Sequence, residues 1–293
     1  MNALLGGLLA AAALVPIPDQ ALAASSQTGT ASADSGITTD RARRFVAQLT
    51  IPGANDEPFA RFAYPVCVGS AGLPPEAGEV VAERITAIAA SSGLPIAESG
   101  CAPNLMVVFV EDGRAAVRAL SRAGSGALVG QSRADIGRIL DRSGPVRAWL
   151  QTQVRSRDGD RPSYSPTGLT TLTAQASTRL SASIRREIVS SVVLIAREAI
   201  ADRDLRQVAD YAAMRGLTGA RLDESPAMEP TILTLFTPHG DAAAPAGLTA
   251  EDRAFLSAFH IVRDDMAETL QRPRIVDRMA RVSLAVFEET QAP

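Results

Sequence analysis

Leu205–Gly219 reads LRQVADYAAMRGLTG, and this stretch decides how the chain is understood. Leu205, Val208, Ala209 and Ala212 recur at helical spacing, which predicts an amphipathic core helix over Asp204–Arg215 ended by Gly216. The run just before it, Ile188–Ile195, is apolar and β-branched and reads as a strand. Working back, Val146, Ala148, Leu150, Thr152 and Val154 alternate with Arg147, Trp149, Gln151, Gln153 and Arg155. That pattern predicts a half-buried strand at a sheet edge or cleft rim. Leu105–Val110 (LMVVFV) is apolar on both faces and reads as an interior strand.

The remaining elements follow from local signals. A first strand is expected over Phe62–Val68. Pro74-Pro75-Glu76 opens a helix to about Ser92, with Val81, Ile85 and Ile88 on one face and Gly93 at its end. Short helices are expected over Ala115–Arg122 and Arg133–Asp141, the second capped by Ser132 with Asp135 three residues on. Ser156–Ser183 is polar and interrupted by glycine and proline, a long loop or loose hairpin. Further helices are expected over Thr249–Phe259 and Arg274–Glu289. The order defines an α+β domain: a layered mixed β-sheet with helices and a helical C-terminal part.

The chain of 293 residues carries 29 basic side chains, every one Arg, against 32 acidic ones, a net charge of -3. No basic field for nucleic acid exists, and without Lys there is no Schiff-base or Walker-type lysine. Residues 3–15 form an apolar run followed by Pro16, Pro18 and Ala21-Leu22-Ala23. This is the pattern of a secretory signal over residues 1–23, although no Arg precedes the run. The run is too short to span a bilayer, so no stable membrane span is expected after cleavage. Residues 24–40, rich in Ser, Thr, Gly and Ala, read as a flexible polar tether, leaving 41–293 as a single domain. The expected location is periplasmic or secreted. In such a compartment Cys67 and Cys101 read as one disulfide; two buried thiols are the alternative.

Laid on the helix, the metzincin pattern H-E-x-x-H-x-x-G-x-x-H puts Ala209 and Ala213 at the first two ligand positions. Asp210 falls at the acid, Gly216 at the glycine and Gly219 at the third ligand. Pro230–Phe236 (PTILTLF) looks like the strand-like floor segment of that family, with Leu in place of its Met and Met228 nearby. Gly247–His260 (GLTAEDRAFLSAFH) resembles the matrixin closing helix, with Thr249 as N-cap and Asp252 completing the box. Over residues 185–260 the chain thus resembles a degenerate zincin-like exported bacterial protein of the metzincin or matrixin type, its zinc ligands absent. The resemblance implies a zincin-like sheet, no bound metal or other cofactor, and no metalloprotease activity, since Ala and Gly offer no donor atom. It implies a cleft near Trp149, Ala209, Asp210, Tyr211 and Ala213 that binds a peptide or envelope polymer.

Two rival classes remain. A metal-independent hydrolase would pair an Asp or Glu with His239 or His260, the chain's two histidines. A structural accessory of the cell envelope would need only the tether. Asp264, Asp265 and Glu268 do not have the spacing of a calcium loop and read as a solvated face.

Overall fold

The computed structural model describes residues 36–50, 56–165, 170–222, 227–237 and 244–291, without the side chains of 164, 170 and 282–291. The expected signal segment, most of the tether, and His239 lie outside these residues. Helix α1, Thr39–Leu49, takes in the last two residues of the expected tether. The Thr38 hydroxyl accepts a hydrogen bond from the Arg41 amide, and Ile37 is already buried. An N-cap this well formed draws the last residues of the polar stretch into the fold.

The first strand differs from its expectation. Instead of Phe62–Val68, two short strands form, β1 (Arg61–Phe62) and β2 (Val68–Ala71). Pro65 has no N–H for a ladder, so the chain breaks there. Asn104 bridges the gap: its amide nitrogen donates to the Pro65 carbonyl and its side-chain oxygen accepts from the Cys67 amide. Helix α2 (Pro75–Ser91) follows with Pro75 in its first turn, burying Val81, Ile85 and Ile88. Gly93 then turns the chain at φ +85°. Strand β3 is Leu105–Val110, and α3 (Gly113–Arg122) and α4 (Arg133–Asp141) follow it. Asp112 caps α3, while Ser132 and Asp135 cap α4 reciprocally, as their spacing indicates.

Strand β4 is Val146–Ser156. In the polar stretch after it only a two-residue pairing forms, β5 (Ser163–Tyr164) with β6 (Thr170–Thr171). Strand β7, Ile184–Ala196, is the hub of the main sheet. It pairs in parallel with β3, Leu105 opposite Ser191 through Val110 opposite Ala196, and earlier along its own length with β1, Arg61 opposite Glu187 and Phe62 opposite Ile188. On its other side it pairs antiparallel with β4, with a register shift after Gln151. Strand β2 lies parallel to β3. The sheet is therefore mixed, ordered β4–β7–β3–β2, with β4 at an edge as its alternation implies.

Side-chain alternation along β7 separates two cores. Val193 and Ile195 join α2 and the later helices in the larger one, while Val192 and Leu194 join Trp149, Val117 and Ile139 beneath α3 and α4. Three helices complete the larger side: α5 (Leu205–Thr218), α6 (Ala250–Ile261) and α7 (Glu268–Gln291). Helix α7 begins six residues earlier than expected and contains Pro273. Asp56 makes this possible: its carboxylate accepts from the Thr269 amide and hydroxyl, both at 2.8 Å, and so caps the early start. Asp265 and Glu268 are buried rather than solvated, because each carboxylate has an Arg partner, Arg263 and Arg272. No helix among the described residues is long and apolar enough to cross a membrane.

Candidate functional site

Helix α5 is enclosed more completely than its pattern suggests. Every residue from Val208 to Leu217 is buried, including Asp210, Tyr211 and Arg215. Asp204 starts the helix by accepting a hydrogen bond from the Arg206 amide. The helix runs past Gly216, which stays helical because its bare Cα lets α5 approach β3: a Cβ there would sit 3.1 Å from Leu105. Gly219, the C-cap at φ +70°, ends the helix instead.

The five expected cleft residues separate. Ala209 and Ala213 are 0% exposed and belong to the large core, so no cleft opens beside them. Trp149 lies on the opposite face of the sheet, where its indole N–H donates to the Ala127 carbonyl at 2.7 Å. Its position in β4 alternates away from α5, a sidedness that the pattern alone could not assign to either core. Asp210 holds the structure together. One carboxylate oxygen accepts from Arg84 Nε at 2.6 Å, and the other accepts from Arg84 Nη2 and the Leu248 amide. Tyr211 alone borders open space.

The zinc expected of the resembling family does not fit these residues. Ala209, Ala213 and Gly219 carry no donor atoms, and the Asp210 oxygens are taken by Arg84 and Leu248. Among the described residues no group of three or more His, Cys, Asp or Glu side chains converges as a metal site. Ile232–Phe236 forms a 3-10 helix rather than a strand-like floor. Its start is fixed by Asp252, which accepts from the Thr231 hydroxyl and the Ile232 amide. Met228 is 61% exposed and so is no part of a floor.

Of the two histidines expected to serve a hydrolase, His260 lies among the described residues. His260 is half-buried as a residue, but both ring nitrogens are buried and, among the described residues, have no hydrogen-bond partner; Arg61, stacked 3.7 Å over the Phe259 ring, is its charged neighbour. Burial, then the Arg61 charge, pushes its pKa down to about 3, so it is neutral at ordinary pH.

The cavity that Tyr211 borders has a volume of about 400 Å³. Helix α5 contributes Tyr211 and, one turn on, Arg215. The α4–β4 connection contributes Arg142, and the 3-10 helix contributes Leu233 and Phe236. The Tyr211 ring meets Phe236 edge-on at 4.7 Å. Burial raises the Tyr211 pKa, keeping its hydroxyl protonated. Arg215 donates through Nη1 to the Ala220 carbonyl, but its buried Nε has no partner, and neither has Nε of Arg142. Arg142 is held down to about 10, first by burial and then by the charges of Arg215 and Arg221. These arginines were missed in sequence. The signal was Arg215 itself, a lone charge inside the otherwise apolar run AAMRGL. Comparison with protein-family models, curated sequences and solved structures finds no match for the chain.

Proposed function

We propose that the chain is an exported, non-catalytic binding protein on a zincin-like scaffold that lacks metal ligands, and that it holds a peptide or an envelope polymer beside α5. The observation that carries this reading is the cavity bordered by Tyr211 on the same helix that bears Ala209 and Ala213. A pocket with an aromatic floor and a few polar groups is suited to recognition. The absent donor atoms remove the Lewis acid that zinc hydrolysis requires.

Two further features support the reading. The fold is a mixed α+β sheet with C-terminal helices, and in chain order an antiparallel edge strand, the central strand and the buried helix α5 follow one another, an order compatible with the proposed scaffold. The Cys67–Cys101 disulfide suits the oxidising compartment to which the apolar N-terminal segment would send the chain. The hydrolase alternative finds no support in His260, which has no carboxylate partner among the described residues.

Thermal denaturation of the protein purified from the periplasm, against short peptides and glycan fragments of the envelope, tests the proposal. At least one fragment is expected to raise Tm, and Tyr211→Ala should abolish that shift. Absence of any ligand among both classes, or hydrolysis of a bound fragment, would overturn it.

A further inference from the structure

We infer that the cavity beside Tyr211 receives an anionic oxygen group of the ligand, a carboxylate or a phosphate. The inference rests on the binding reading above and names the chemistry that the site recognises.

Three observations carry it. The first is unspent donor capacity. Arg215 is 7% exposed, lines the cavity, and keeps a buried Nε without a hydrogen-bond partner after Nη1 has bonded the Ala220 carbonyl. Arg142 likewise keeps a buried Nε without a hydrogen-bond partner, and among the described residues its side chain makes no ion pair and no hydrogen bond through Nη1 or Nη2. The Nε atoms have no accessible surface, so the donors that a ligand can reach are the Nη groups, and a charged donor at a cavity without a protein acceptor favours a group that accepts from it.

The second observation is charge. Arg142, Arg215 and Arg221 stand close enough for each of the latter two to disfavour the charge on Arg142. Among the described residues Asp141 is the one carboxylate that lines the cavity, and it makes no ion pair with Arg142 or Arg215. Guanidinium groups collected against their own repulsion form a receptor for an anion, and their planar donor forks match carboxylate and phosphate oxygens.

The third is shape. The cavity is a half-open space of about 400 Å³ with Tyr211 and Phe236 on one side. It has room for an anionic head group and a short apolar or sugar-like portion against the rings. The Tyr211 hydroxyl, held protonated, adds a neutral donor.

Calorimetric titration at fixed ionic strength with inorganic phosphate in one arm and succinate in the other tests the inference and separates the two sources of the anion. Saturable binding of at least one is expected, weakened roughly tenfold or more by Arg142→Gln. Arg118→Gln, an exposed arginine on α3, should leave it unchanged. Among the described residues Arg142 makes no side-chain hydrogen bond, so its substitution should leave Tm near that of the parent. Arg215→Gln, which also removes the bond to Ala220, is read only after its fold is checked. The inference is overturned if neither anion binds, or if Arg142→Gln binds as well as the parent. Neutral fragments that bind through Tyr211 while both anions fail would leave the binding reading standing without the anion. Failure of neutral and anionic ligands alike would remove both.

Discussion

Single residues define this protein through what their backbone or burial demands. Gly219 stops α5 in a left-handed conformation, and a Cβ there would come within 2.8 Å of Leu150. Gly219→Ala should therefore cost about 1–2 kcal/mol in chemical denaturation. Gly216→Ala should cost less, because helical propensity favours Ala and the Leu105 methyls can shift slightly. Equal costs would contradict these roles. His260 supplies a pH dependence. Its pKa of about 3 in the folded chain lies below the unfolded value near 6.5, so the unfolded chain binds the extra proton between those limits. That contribution is complete above pH 6.5 and is lost as pH falls toward 3, by up to about 1.4 kcal/mol per pH unit. Denaturation between pH 7 and 5 should show His260→Phe losing less stability than the parent. Parallel curves would contradict the burial of a neutral imidazole.

At the scale of elements, legibility followed the range of the determining interaction. Helix α4 and helix α6 begin where Ser132 and Thr249 put them, because a capping box needs only four consecutive residues. The alternation of β4 allowed a sheet edge or a cleft rim, and the strand pairs with β7 at an edge. Helix α7 was misjudged because Asp56, more than two hundred residues away in sequence, supplies its N-terminal acceptor. The segment Ile232–Phe236 was misjudged for the same reason, since Asp252 sets its turn from α6. The disulfide between Cys67 and Cys101 links the start of β2 to the approach of β3 across α2. Its 34-residue separation gives about 3–4 kcal/mol in the loop-entropy model. Urea unfolding with and without reductant should differ by that amount, and coincident curves would contradict it.

For the molecule as a whole, the candidate site was legible only in its frame. The spacing within Leu205–Gly219 located the decisive helix and the absence of donor atoms at its ligand positions. It could not show that Ala209 and Ala213 sit in the core, that Trp149 faces the other way, or that Arg142 and Arg215 meet, because each depends on which layer covers which face. The central claim is that α5 supports binding and not zinc chemistry. Elemental analysis of the purified protein, saturated with zinc and then dialysed exhaustively, tests it most directly. The account predicts that no zinc is retained, whereas one tightly held equivalent per chain would contradict it.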